Sequence, residues 1–260
     1  MPFRSVIAHL LAAAASVLIQ AQAADLEDHN AHVWLSYIGD HPVAGSPWGA
    51  HLEAQVRRSE LGDGWQQLLI RPGVNYALNE RVAFSAGYCF VETHRYGDYP
   101  ALDDFPEHRI WEQVTVSVPW LGLTWANRFR LEQRYIGELR PVPTGGLAVG
   151  NYRYENRFRY LLRTTVPLGA SGNYYLVAWD EVFINFGSEV KGNTFDQNRA
   201  FVGLGRKLGK HFKVEAGFME QTIQRRLGRI WEHNHTLAIY LASNAPFGSA
   251  APESLPENSK

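Results

Sequence analysis

The segment NRFRLEQRY, Asn127 to Tyr135, carries four charged side chains at alternate positions, Arg128, Arg130, Glu132 and Arg134. Guanidinium groups bind carboxylates and phosphates through paired hydrogen bonds, so a row of them could bind or pass anions. Alternate residues share one face of a β-strand, whereas on a helix they would scatter around the axis. The segment therefore predicts a strand with one charged face and one largely apolar face.

A second arginine row follows in the next polar-apolar segment, where Arg153, Arg157, Arg159 and Arg163 alternate with aromatic and aliphatic residues and Glu155 shares their face. One interpretation is an anion pathway. The other is a structural ladder of Arg–Glu pairs that fills a narrow interior, which is the preferred interpretation because an isolated buried charge is very costly. The two overlap, since a net positive interior selects anions even if its first role is packing.

The same alternation recurs along the chain in segments of about the length that a tilted membrane strand requires, ~9–11 residues. The predicted strands lie near 31–38, 50–58, 66–78, 81–92, 107–118, 123–135, 152–166, 174–186, 197–207, 212–223 and 234–243. Very little helix is left over. The fold class is therefore all-β, a single antiparallel up-and-down transmembrane β-barrel. Bacterial barrels normally have an even strand number, so the eleven segments predict twelve strands, with ten as the alternative.

The charged faces of these strands would form the barrel interior. The predicted inward cations number twelve: Arg57, Arg71, Arg109, Arg128, Arg130, Arg134, Arg153, Arg157, Arg159, Arg163, Arg199 and Lys213. The predicted inward anions number six: Glu53, Glu107, Glu132, Glu155, Glu181 and Glu215. Asp180 falls on the opposite face from Glu181, so the two do not form an acid–base pair.

The connections and the aromatic residues favour an outer-membrane barrel over a soluble barrel or sandwich. Short turns at 78–81, 119–122, 168–173 and 208–211 alternate with longer polar loops near 93–106, 136–151, 187–196 and 224–233, as in bacterial barrels with periplasmic turns. Aromatic residues near the strand ends would form interfacial girdles. They are Tyr96, Tyr99, Trp120, Trp125 and Tyr174. A soluble periplasmic ligand-binding barrel remains the alternative, because periodicity alone does not separate the two.

The N-terminus predicts export. Arg4, the apolar run Val6 to Ile19 and the sequence Ala21-Gln22-Ala23 have the order of a signal peptide, so residues 1–23 would be removed, 24–248 would form the barrel and 249–260 a polar tail. The net charge of −1 shows no basic excess of the kind that nucleic-acid binders carry, and the single cysteine, Cys89, excludes an internal disulfide.

Four histidines bear on an alternative enzymatic role. His94, His108, His233 and His235 flank predicted loops, and an outer-membrane enzyme acting on lipid would need a Ser–His pair there. No inward serine is visibly placed beside them, so we predict no enzyme. We also predict no cofactor and no metal.

Five motifs resemble an outer-membrane-barrel family known only as a domain of unknown function, number 2490. They are QLLIRPGVNYALNE (67–80), EHRIWEQ (107–113), RFRLEQRYI (128–136), YLVAWDEVFIN (175–185) and FDQNRAFVGLG (195–205). The resemblance runs from about Trp34 to Leu241 and implies an uncharacterised exported β-barrel with no catalytic residues to carry over. The tail after Phe247 departs from the family, whose members usually stop at the last strand.

The sequence thus predicts a Gram-negative outer-membrane protein that is either a narrow, porin-like, anion-preferring channel or a structural envelope protein. Its expected partners are outer-membrane lipid, small anionic solutes and the barrel-assembly machinery that inserts it.

Overall fold

The computed structural model describes residues 26–247, so the predicted signal peptide and the polar tail lie outside the described residues. Eleven β-strands form one closed barrel, which confirms the all-β barrel class. The strands are β1 Leu26–Pro42, β2 Trp48–Ser59, β3 Gly64–Ala77, β4 Val82–Thr93, β5 Phe105–Trp120, β6 Leu123–Pro141, β7 Leu147–Leu168, β8 Tyr174–Phe186, β9 Phe195–Leu208, β10 Phe212–Gln224 and β11 Ile230–Ser243. Between β2 and β3 the chain makes one 3₁₀ turn, Glu60–Gly62.

The strand number is eleven, one fewer than the even number expected. Each strand pairs with its sequence neighbour in antiparallel fashion, but an odd number leaves β1 and β11 running in the same direction. They pair in parallel from Leu26↔Ile230 to Gly39↔Ser243 and so close the barrel. The eleven segments seen in the sequence are therefore the complete set among the described residues, and no twelfth strand is needed for closure.

The two ends of the barrel differ in their connections. The turns after β1, β3, β5, β7 and β9 lie at one end, the turn end, and the connections after the even-numbered strands lie at the other, the loop end. At the turn end, β5 and β6 are joined by two residues, Leu121 and Gly122, both with positive φ as a type I′ hairpin requires. The loop expected at 136–151 is shorter, residues 142–146, because β6 and β7 continue pairing past a bulge at Gly150, opposite Glu138 and Leu139.

The predicted faces hold along the strands. On β6, Arg130 and Glu132 are buried inside, whereas Phe129 and Leu131 are exposed on the outer wall. Exposed large hydrophobic side chains occur on the outer wall of every strand. Examples from strand interiors are Leu35, Leu52, Ile70, Phe84, Ile110, Phe129, Phe158, Leu176, Val202, Phe218 and Leu237.

Two apolar clusters occupy parts of the interior wall. One is built on Trp34, Tyr175, Val177, Phe201, Met219 and Ala238. The other consists of Leu69, Cys89, Val91 and Trp111. Gly73 and Gly87 face each other across β3 and β4, and a Cβ at Gly73 would lie 2.7 Å from the Trp111 ring, so the glycine makes room for that indole. Within residues 26–247, no helix has the length and hydropathy needed to cross a bilayer.

Candidate functional site

The candidate site is a polar cavity of about 550 Å³ inside the barrel. Its lining residues come from both ends, from Asp40 and Lys213 near the turns to Asn193 and Arg226 beside the loops. Fourteen arginines or lysines and eight aspartates or glutamates line it, and two enclosed carboxylates, Glu132 and Asp28, bring the acidic groups to ten. The lining and these enclosed groups together have a surplus of four positive charges.

Glu132 is the hub of the ion-pair network. Its side chain on β6 is 0% exposed, and its two oxygens accept hydrogen bonds from Arg157 Nη2 at 2.6 Å and Arg159 Nη1 at 2.7 Å. Arg71 Nη2 and Arg130 Nη1 lie farther away, at 3.5 and 4.0 Å from Oε1. A carboxylate surrounded by four guanidinium groups is stabilised in its charged form, and it offsets their mutual repulsion.

Other carboxylates repeat this arrangement around the wall. Glu181 accepts from Arg128 at 2.7 Å and from Arg159 at 2.9 Å, joining β6, β7 and β8. Glu107 on β5 accepts from Arg109 at 2.7 Å and from Arg134 at 2.5 Å. These hydrogen bonds join side chains of different strands inside the barrel, so the network stabilises the barrel wall.

Three further predicted cations are also paired with carboxylates. Arg71 pairs with Glu53, Arg153 with Glu155 at 2.7 Å, and Arg163 with Glu215 at 2.5 Å. Of the eighteen charged positions predicted to face the interior, seventeen line the cavity and Glu132 lies enclosed behind its arginines. The seventeen are Glu53, Arg57, Arg71, Glu107, Arg109, Arg128, Arg130, Arg134, Arg153, Glu155, Arg157, Arg159, Arg163, Glu181, Arg199, Lys213 and Glu215.

Arg57 and Arg199 depart from the ladder because neither forms an ion pair with the described residues. Arg57 donates to Gln55 Oε1 from Nε at 2.8 Å, and Arg199 donates to Gln197 Oε1 from Nε at 3.0 Å. Both guanidiniums lie against the indole of Trp34, at 3.9 and 5.0 Å from its ring centroid. An amide and a ring face orient a guanidinium and supply partial negative potential, but they leave its charge uncompensated.

Arg130 is a third, similar case. Its Nε and Nη2 donate to Gln113 Oε1 at 2.9 and 2.6 Å, and its guanidinium lies 4.9 Å from the Trp111 ring centroid. Nη1 has no hydrogen-bond acceptor among residues 26–247, and the Glu132 carboxylate at 4.0 Å is beyond hydrogen-bond range. We refer to Arg57, Arg130 and Arg199 as the amide-held arginines.

Sequence reasoning missed three acidic residues that line the cavity, Asp40, Asp196 and Glu232. The alternation on β9 places Arg199 and Gln197 inside, which would put Asp196 outside. A bulge opposite Phe183 and Ile184 turns Asp196 inward as well, and its carboxylate accepts from Arg157 Nη1 at 2.8 Å. No periodicity reveals such a bulge.

The loop end of the cavity carries a second missed group. Tyr96, on the loop between β4 and β5, donates from its hydroxyl to Glu232 Oε1 at 2.5 Å, and Arg225 Nη2 lies 2.5 Å from Glu232 Oε2. Burial of the phenol and the neighbouring Glu232 carboxylate raise the pKa of Tyr96 above its ordinary value. Tyr96 was expected in an aromatic girdle, but its side chain lines the cavity.

Among the described residues, none of the four histidines weighed for an enzymatic role hydrogen-bonds to a serine. His233 and His235 both stack on His29. His94 Nδ1 lies 2.6 Å from Asp104, and His108 Nδ1 lies 2.5 Å from the Tyr88 hydroxyl. On the outer wall, His233 Nε2 lies 2.8 Å from Glu27 Oε2, and His235 Nδ1 lies 2.7 Å from Glu220 Oε2. The hydroxyls within hydrogen-bond range of these rings belong to Tyr88, Tyr152 and Thr222 in the described part of the chain. No group of three or more ligating side chains among residues 26–247 is arranged to hold a metal ion.

Asp180 and Glu181 lie on opposite faces, as the alternation predicts. Glu181 is buried in the lumen, and Asp180 faces outward, where both of its carboxylate oxygens accept from Asn198 Nδ2 at 3.1 Å. The outer wall therefore carries a polar pair among its hydrophobic side chains.

Comparison with known proteins gives a family without an assigned activity. The family model described as "Protein of unknown function (DUF2490)" matches residues 31–232, so the chain belongs to that family. It is similar to an uncharacterized protein of Methylorubrum extorquens strain AM1, at 29% identity over 188 residues that cover 70% of this chain and 75% of the relative. No solved structure matches.

Proposed function

We propose that this DUF2490 protein is an outer-membrane β-barrel that forms a narrow, anion-preferring passage. The observation that carries the proposal is the polarity of the barrel wall, with large hydrophobic side chains exposed outside and ionised ones inside. A soluble barrel would place them the other way round, because exposed apolar patches of more than a few hundred Å² are rare on soluble monomers. Hydrocarbon is the environment that matches such an outer wall.

Aromatic residues near the strand ends support this placement. At the turn end, Trp48 packs against Tyr76 with ring centroids 4.9 Å apart, and Trp120 packs against Trp125 at 5.8 Å. Trp48 and Trp120 are more than half exposed. Exposed indole rings at the end of an apolar wall are typical of the aromatic girdle at a membrane interface.

The preference for anions follows from the charge of the cavity. A surplus of positive charge in a low-dielectric enclosure attracts small anions and repels cations. The network also limits the passage, because each ion pair that crosses the lumen occupies space. Only small solutes therefore fit through the passage. If the ion pairs filled the lumen completely, the barrel would conduct nothing and would be a structural envelope protein.

The test is single-channel conductance of the refolded protein in planar bilayers under a salt gradient. We expect small conductance steps and a reversal potential that indicates anion preference. Lys213 and Lys210 give a matched pair of variants. Lys213 lines the cavity at the turn end and forms no ion pair with the part of the chain that the structure describes, and Lys210 is exposed on the adjacent turn. Lys213→Gln should lower the preference, and Lys210→Gln should leave it unchanged.

Two outcomes would contradict the passage. A protein that inserts, as judged by heat-modifiable migration in electrophoresis, but conducts nothing would be a structural barrel. Conductance with cation preference would mean that the surplus guanidiniums do not face the permeating ion.

A further inference from the structure

One part of the cavity wall presents positive charge and hydrogen-bond donors that form no ion pair within residues 26–247. It is formed by Arg57, Arg199 and Tyr240, grouped around Trp34. Trp34 lies on β1, and Arg57 on β2 is its direct cross-strand partner. On the other side, Ala238 on β11 pairs with Trp34, and Tyr240 lies two residues farther along β11. All three side chains line the cavity.

Arg199 lines this space and forms no ion pair among the described residues, because Glu181, its cross-strand partner on β8, accepts from Arg128 and Arg159 instead. Its Nε is held by Gln197, and the side chain is 9% exposed. The terminal Nη1 and Nη2 atoms donate to no carboxylate in the described residues, although a rotated Gln221 amide would accept from Nη2 at 3.2 Å. This outer edge of a guanidinium is the fork that binds two oxygens of one carboxylate or phosphate group.

Tyr240 adds a second underused donor. The acceptor of its hydroxyl is Met219 Sδ at 3.9 Å, a weak partner for a donor in a polar cavity. The ring packs edge-on against Phe201, with centroids 5.5 Å apart, which fixes the direction of the hydroxyl. Phe201 lies two residues from Arg199 on the same face of β9, so both donors belong to one neighbourhood.

We infer that Arg57, Arg199 and Tyr240 form a binding site for a small oxyanion, a phosphate or carboxylate group. Arg199 supplies the two-pronged contact, Tyr240 a neutral donor, and Arg57 a second positive charge that Gln55 and Trp34 hold in place. The two guanidiniums lie 3.9 and 5.0 Å from the same ring centroid, so their carbon centres are at most about 9 Å apart. The site deepens the proposed passage, and the route by which an anion reaches it rests on that proposal.

Inorganic phosphate is the probe. The refolded full chain in detergent micelles is titrated with phosphate at constant ionic strength, with chloride as the exchanged anion, and binding is followed by calorimetry and by the midpoint of urea unfolding. A ligand that binds the folded protein only lowers the unfolding constant by a factor of about 1 + [L]/Kd. We expect Arg199→Gln to raise the Kd for phosphate at least tenfold and Tyr240→Phe to raise it several-fold.

The control is Arg206→Gln, the same substitution on the outer face of the same strand. Phosphate also stabilises proteins non-specifically, and this part of its effect should be equal in wild type, Arg199→Gln and Arg206→Gln. Equal phosphate responses in all four proteins would overturn the site. Tyr240→Phe keeps the ring packing, so it provides the test if Arg199→Gln does not fold.

The two proposals fail separately. Phosphate binding in micelles without conductance in bilayers would refute the passage and leave the site. Anion-preferring conductance without any Arg199-dependent phosphate effect would refute the site and leave the passage.

Discussion

Replacing Glu132 by glutamine removes the negative charge at the hub of the lumen network and keeps the shape of the side chain. In the variant, Arg157 and Arg159 would face a neutral amide instead of a carboxylate at 2.6 and 2.7 Å. Breaking a buried ion pair by neutralising one partner typically costs about 3–5 kcal/mol. We therefore expect Glu132→Gln to raise the unfolding constant between about a hundredfold and several thousandfold, at about 1.4 kcal/mol for each factor of ten.

The assay is urea unfolding of the refolded barrel in lipid vesicles, followed by tryptophan fluorescence. Glu138→Gln is the matched control, because Glu138 pairs with Arg153 at 3.2 Å at the partly exposed loop end. An ion pair of that kind contributes at most about 1 kcal/mol. If Glu132→Gln and Glu138→Gln had the same unfolding free energy within error, the claim that the lumen network stabilises the wall would be wrong.

Three further measurements examine the outer wall, the inner wall and the loop end. Val202→Arg, on the outer face of β9, should cost about 2–4 kcal/mol in vesicles if Val202 meets the middle of a bilayer, whereas Val202→Ile should be close to neutral. Cys89 is fully buried inside the barrel, so a maleimide should label it only after unfolding, in contrast to a cysteine introduced in the exposed turn by Ser171→Cys. Fast labelling of folded wild type would show that the inward face of β4 is misassigned. The raised pKa of Tyr96 means that above its ordinary pKa of about 10 the unfolded chain loses the phenol proton while the folded chain keeps it. Stability should therefore fall as pH rises above about 10, and the fall should be smaller in Tyr96→Phe; equal pH profiles would place the phenol in water.

The alternation of residue types predicted the wall of this barrel because the side-chain period of a strand is two. Arg130 and Phe129 need no tertiary information to be placed on opposite faces. The same reasoning separated Asp180 from Glu181. It failed at Asp196, where a bulge turns two consecutive residues inward, and at residues 136–151, where pairing continues through another bulge.

The pairing of individual charges was beyond the sequence. Arg57, Arg130 and Arg157 look alike in the pattern. Yet within the described strands Arg157 contacts two carboxylates, Arg130 lies 4.0 Å from one and Arg57 forms no ion pair. The difference arises because side chains meet across the lumen, between strands distant in the chain. Only the register of the strands and the closure of the barrel decide which groups come within hydrogen-bond range.

The sequence by itself determined the fold class, the two faces and the positive surplus inside, since each depends on local periodicity and composition. The tertiary structure decided the strand number, because the parallel pairing of β1 with β11 closes an odd-numbered barrel. It also decided where the surplus positive charge lies. The charge of an arginine stays uncompensated where the fold places an amide such as Gln55 or Gln197 beside the guanidinium in place of a carboxylate.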